Sequence, residues 1–284
     1  MIEGTAATMN EPIFPADSQH PGMKRAVSTA RKSFRFFWRE MTWEYRRIIP
    51  GLDLAAIKAA FTDHDDLASA DDVEQMWVND VEFDGRTLRG TLINQPNELI
   101  SVSQGDAVEI SLREITDWMY ASQGKVYGGF TVNHIRSEMS KAERKAHDAA
   151  WGLDFGDPAV TRYVPPEYIG RKPPGFLARL LGRGEESQDA AEVAATEHPM
   201  AINMLDSMKD AFRDRDNLVA ADDNGLNVLH SMSLGGAARG VNVLIRLGAD
   251  PTVETHHGDT AWRLAKRVGW KNVLKVLEKH GVTK

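Results

Sequence analysis

Asp223-Asn224-Gly225, then Val228-Leu229-His230, Gly236 and Gly248-Ala249-Asp250-Pro251, is followed by His257-Gly258-Asp259-Thr260, Trp262, Leu264-Ala265, Gly269 and Gly281. Gly225 and Gly258 are 33 residues apart, and so are Gly248 and Gly281. Two independent glycine pairs with one spacing mark a repeated structural unit. Within each unit the glycines permit positive φ where a hairpin or a helix end turns. Leu229 and Trp262 fill the core between helix pairs, and Ala265 lets helices approach closely.

One step of the same length back from Val241–Leu247 falls on Met208–Asp214. Ile202, Leu205, Met208 and Phe212 there share a helical face. Pro199 interrupts the position of a first helix, so this reads as a degenerate half-unit. Period and motifs together resemble the ankyrin repeat, down to the Gly-Ala-Asp ending at 248–250. Arg263 stands where that family usually has His, Lys266 replaces a small residue, and Asn227 stands where Thr is usual. The resemblance implies that Asn227 and His230 tie turn backbone groups together. It also implies that hairpin tips and the concave helix face bind a partner protein. The residues nominated for that role are Asp222, Asn224, Ser231, Glu254, His256, His257, Asp259 and Arg263.

The rest of the chain has a different pattern. Residues 1–22 carry three prolines and two glycines and read as a flexible leader. Val27, Ala30, Phe34, Phe37, Trp38, Met41, Tyr45 and Ile48 then mark one face of a helix that ends at Pro50-Gly51. A second helix is expected over Leu54–Phe61. Gln75–Val81, Thr87–Ile93, Ala107–Ser111 and Gly124–Val132 read as strands, divided by Asp84-Gly85, Asn94-Gln95-Pro96 and Gly105-Asp106. Ile115–Ala121 fits a short helix or part of a strand. Ser137–Trp151 reads as a helix, with Ser140 as N-cap and Glu143 three residues later. Residues 162–199, with Pro165-Pro166 and Pro173-Pro174, read as a partly disordered linker.

The motifs Glu74-Gln75-Met76-Trp77-Val78, Leu92-Ile93-Asn94-Gln95-Pro96, Ile115-Thr116-Asp117-Trp118-Met119, Gly128-Gly129-Phe130-Thr131 and Arg136 resemble the bacterial YegJ-like domain of unknown function. That family implies a bacterial source and no known activity. The expected architecture is therefore an α+β N-terminal domain over residues 23–161, an antiparallel sheet with flanking helices. A linker joins it to an all-α ankyrin-repeat solenoid over 200–284.

Composition narrows the function. There is no cysteine, which excludes disulfides and thiol chemistry. The net charge of −7 speaks against nucleic acid as a general partner. No apolar run is long enough for a membrane span, and the cytoplasm is the expected compartment. The basic aromatic helix of residues 24–47 is read as docking on its own sheet with a solvated basic face, in preference to a membrane or nucleic-acid surface. His64-Asp65-Asp66 and His256-His257 lack a convincing second cluster, so no metal is expected, and no cofactor. Gly182-Arg183-Gly184 is too short for a phosphate loop. Trp77 and Trp118 read as core anchors. No nucleophile or acid–base motif appears. The reading is a non-enzymatic protein that binds another protein, in one concrete version an immunity protein blocking a toxin. The alternative is an enzyme or small-ligand domain around Asp117, Thr131 and Arg136, polar residues set in apolar motifs, with the repeats as a targeting arm.

Overall fold

The computed structural model describes residues 20–64, 73–172 and 185–283. The expected leader up to residue 19, the acidic run Asp65–Asp72, the triplet Gly182-Arg183-Gly184 and residues 173–184 of the expected linker lie outside the described residues.

Helix α1 (Pro21–Glu44) starts at a proline, whose fixed φ suits a first helical turn, and His20 caps it by accepting from Gly22 N–H. Ala30, Phe34, Phe37 and Met41 of the expected stripe are buried. A second stripe is buried too: Phe36, Arg39, Glu40 and Trp43. Spacings of three, four and seven residues place this second set on another side of the helix. α1 is thus covered from two directions, by the sheet and by the C-terminal helices.

The sheet comprises β1 (Leu54–Phe61), β2 (Glu74–Phe83), β3 (Thr87–Leu92), β4 (Ala107–Ser111), β5 (Ile115–Ser122) and β6 (Lys125–Gly128). Its order is β4-β3-β2-β1-β5-β6, antiparallel throughout. The segment expected as a second helix is therefore β1, in the interior of the sheet. Its four alanines favour helix by intrinsic propensity. Pairing on both edges, Ile57 with Val78 and with Trp118, overrides that preference. Ala56 and Ala59 are fully buried on opposite faces, where small side chains admit the aromatic residues beside them.

At the end of β6, Gly128 and Gly129 both have positive φ. A Cβ on Gly128 would stand 2.2 Å from the Trp118 carbonyl oxygen, so the chain turns there only with glycine. Helix α2 (Phe130–Glu138) begins directly after, inside the segment expected as strand. Helix α3 (Lys141–Trp151) starts with the expected capping box of Ser140 and Glu143. Trp151 and Phe155 cover part of the sheet face opposite α1, over Ala56, Trp77 and Met119.

Residues 162–172 and 185–199 pack against the rest of the chain. Gln188 accepts from the Tyr163 and Val164 amides and donates to the Val164 carbonyl. His198 lies 3.2 Å from Glu40 and accepts from Met200 N–H, joining α1 to the following helices. Those are α4 (Ala190–Ala195), α5 (Pro199–Asn203), α6 (Leu205–Ala211) and α7 (Arg215–Val219). Two helix pairs follow, α8 (Val228–Leu234) with α9 (Ala238–Arg246) and α10 (Ala261–Val268) with α11 (Lys271–Lys279). The four glycines that set the 33-residue spacing all have positive φ.

The expected linker to an all-α ankyrin-repeat solenoid is overturned. The C-terminal region is helical, but no solenoid stands apart from the sheet. In a solenoid each unit contacts only its neighbours. Here one continuous core runs from Ala30 of α1 through the sheet residues to Leu277 of α11. Upstream of α8 stand short single helices of five to seven residues instead of another pair. The overall class is α+β. Leu229 is almost fully buried in the shared core, so Leu229→Ala is expected to cost about 2–5 kcal/mol in denaturant melts. A loss below about 1 kcal/mol would contradict its place there.

Among the described residues no helix is long and apolar enough to cross a membrane. The basic residues of α1 do not form a simple solvated face. Arg31, Arg35 and Arg39 donate to the chain's own carbonyls at Ile115, Gly269, Val193 and Thr196.

Candidate functional site

The turns before α8 and α10 carry most of the residues nominated for partner binding, and Ser231 and Arg263 lie within the two helices themselves. Asn227 caps α8 through the His230 amide, and the His230 ring accepts from the Asn227 amide. The ring's Nε2 lies 3.0 Å from the Val253 carbonyl. Burial pushes the His230 imidazole below its ordinary pKa, which keeps it neutral for this tie. The role that the resemblance implied for Asn227 and His230 is thus visible in the geometry. At the next turn Thr260 caps α10. Arg263 at the departing position bonds Glu254 at 2.9 Å and the Gly258 carbonyl.

Several nominated residues face the chain's own β2–β3 turn. Asp259 is 2% exposed and accepts from Arg86 at 2.7 Å and from both terminal nitrogens of Arg267 at 2.8 and 2.7 Å. Arg267 also donates to the Gly85 carbonyl. Asn224 accepts from Arg89 at 3.4 Å, and His257 lies 3.6 Å from the buried Asp84. The tips therefore interlock with the turn at Asp84-Gly85-Arg86, whose sequence marks only a division between strands. Its sole advance signal was two cations, Arg86 and Arg89, beside a turn.

The remaining nominated residues form an edge. Asp222 is exposed and accepts from the Asn224 and Leu226 amides. Glu254, His256 and Arg263 are also exposed, and Ser231 is half-buried. This edge keeps polar side chains on the surface after the interlock has used Asp259.

Burial alone would raise the Asp259 carboxyl, but hydrogen bonds from Arg267 and Arg86 hold it well below the usual carboxylate range. A depressed folded-state pKa contributes stability above the unfolded value near pH 4, and that contribution is lost as pH falls further. Asp259→Asn is expected to cost about 1.5–3 kcal/mol at pH 7. Its melting point should also fall less than wild type's on acidification from about pH 5 to pH 3. Parallel acid titrations of the two proteins would remove the interlock from consideration.

Asp117, Thr131 and Arg136 are all buried; Asp117 and Thr131 meet, but Arg136 does not join them. Asp117 accepts from the amides of Trp118, Phe130 and Thr131 at 2.7–2.9 Å and from the Thr131 hydroxyl at 2.6 Å. A strand carboxylate thereby caps the first turn of α2, whose N-cap Gly129 has no side chain to do so. Burial pushes the Asp117 carboxyl up, opposed by the Thr131 hydroxyl and nearby Lys58. Arg136 turns elsewhere, forming a bidentate pair with Asp148 at 3.0 and 2.8 Å and donating to Asn133 and the Gly156 carbonyl. A small apolar pocket lies on the sheet face, lined by Leu54, Ala56, Trp77, Ile93, Asn94, Met119 and Trp151. None of the three polar residues lines it. Their polarity serves internal hydrogen bonds, which removes the motivation for a ligand site around them.

Residues 20–155 match the model of a family described as uncharacterised proteins conserved in bacteria, DUF2314. A protein of Neisseria meningitidis serogroup B named "Putative ankyrin repeat protein" is 37% identical over 267 residues, covering 94% of this chain and 96% of the relative. The uncharacterized protein YegJ of Escherichia coli K12 is 32% identical over 91 residues, 32% of this chain and 56% of that protein. The YegJ-like resemblance thus holds in the N-terminal region. The repeat resemblance has a counterpart in the name of the Neisseria relative.

Proposed function

Because the chain belongs to the family of that Neisseria protein, with a bacterial DUF2314 domain over residues 20–155, we propose that it works by binding another protein. The carrying observation is the exposed edge formed by the two C-terminal turns and the start of α10. Asp222, Glu254, His256 and Arg263 remain at the surface while their neighbours lock onto the β2–β3 turn. Polar residues of both signs, held on a rigid packed turn, suit oriented recognition of a partner surface. Asn224, His257 and Asp259 act in this reading by fixing the edge in place. The relative's name supports the same class of role.

The finer reading is an immunity protein that neutralises a toxin, and the net charge of −7 favours a basic partner. Co-expression with the product of the adjacent gene, followed by size-exclusion chromatography, tests both levels. Co-elution that weakens about tenfold or more in Glu254→Lys/Arg263→Glu is expected. A complex indifferent to those changes would sink the proposed edge. A bound partner that is harmless to cells lacking this protein would sink the immunity reading alone.

A further inference from the structure

Three potential ligands meet where α1 begins and α2 ends. His20 precedes Pro21 at the mouth of α1. His134 and Glu138 stand four residues apart on α2, a spacing that puts both on one helical face. His20 Nδ1 lies 3.1 Å from His134 Nε2, and that Nε2 lies 3.9 Å from a Glu138 carboxylate oxygen. One ligand atom from each side chain falls within 4.8 Å of the others. The two rings stack at 5.1 Å. Space for this is built into the backbone: a Cβ on Gly22 would stand 2.3 Å from His134 Cε1. A larger residue at position 22 would push the His134 ring away from His20.

We propose that His20, His134 and Glu138 bind a divalent transition-metal ion of the zinc type. Two nitrogens on a tetrahedral zinc, each at about 2.0–2.1 Å, lie about 3.3 Å apart, close to the separation already present. Glu138 is 67% exposed, so its carboxylate is free to rotate toward the ion. The His20 Nδ1 lone pair, which now accepts from Gly22 N–H, turns to the metal, and the buried Gly22 amide gives up that acceptor. Two imidazoles and one carboxylate select zinc-like ions over magnesium or calcium, which prefer all-oxygen sets. Three protein ligands leave a fourth position for water or for a donor from another molecule. The ion would clamp the start of α1 to the end of α2. Only the His134–Glu138 spacing was visible in the sequence, because His20 is 114 residues away from His134.

The test is calorimetric titration of the untagged full chain with Zn2+ alone, and with Mg2+ as control. One Zn2+ per chain is expected, with no Mg2+ binding at equal concentration. His20→Asn retains a side chain able to cap α1 while removing the imidazole. It should weaken Zn2+ binding about tenfold or more, and so should His134→Gln. Circular dichroism verifies that each variant is folded; should His134→Gln fail to fold, His20→Asn decides. Absence of stoichiometric Zn2+ binding to wild type overturns the proposal. Unchanged affinity in folded His20→Asn also overturns it, assigning the binding to exposed histidines elsewhere.

Discussion

Trp270→Ala is expected to cost about 3–5 kcal/mol and to lower the melting temperature by on the order of 10 °C. The indole is fully buried between the two parts of the molecule. Its ring stands 6.0 Å from that of Phe36, with the guanidinium groups of Arg35 and Arg39 over it at 5.6 and 5.7 Å. Its Nε1 donates to the Leu234 carbonyl at the end of α8, at 2.7 Å. Gly236 admits it: a Cβ there would stand 2.6 Å from the ring. Truncation leaves a cavity, an unmet carbonyl and two cations whose remaining aromatic face is Phe36 alone. Trp270→Phe keeps most of the ring area and loses the hydrogen bond, so it should cost less, about 1 kcal/mol from that bond. Chemical denaturation of the three proteins, followed by far-ultraviolet circular dichroism, measures both differences. A near-zero effect of Trp270→Ala would mean that the C-terminal helices do not dock on α1 as described.

The second large effect is at Asp117. Asp117→Ala should destabilise by on the order of 4 kcal/mol, since two buried amides, one part-buried amide and one hydroxyl lose their acceptor together. Asp117→Asn should be milder but still unfavourable. One amide oxygen remains an acceptor, while the NH2 group faces donors on the other side. A ligand-binding carboxylate held in place by its surroundings would behave oppositely, because its neutralisation commonly leaves stability unchanged or raised. Thermal melts of both variants therefore separate a capping role from a binding role. A gain in stability for either variant would overturn the capping assignment.

Legibility in the sequence varied from element to element. β2, β3 and β4 were readable because β-branched and aromatic residues are bounded by turn residues. The α3 boundary was readable because Ser140 and Glu143 satisfy local amides, a matter of neighbours in the chain. β1 was not, because Leu54–Phe61 has a helical composition and becomes a strand only through partners on both sides. The second buried stripe of α1 was hidden for a related reason. Arg39 reads as part of a solvated basic face, whereas it meets carbonyls at Val193 and Thr196, and its neighbour Glu40 meets His198, all more than 150 residues away.

The candidate site divides along the same line. By itself the sequence determined the repeated turns and their glycines, and its resemblance to the ankyrin repeat implied the Asn227–His230 tie, since these depend on backbone conformation and hydrogen bonds over a few residues. Tertiary structure alone decided that the turns lock onto Asp84, Arg86 and Arg89, that α8 to α11 share the core of the sheet, and that Asp117 caps a helix. Those outcomes depend on which surfaces meet after folding. A periodic sequence records that a face is apolar or charged, but the identity of what covers it is set by packing across the whole chain.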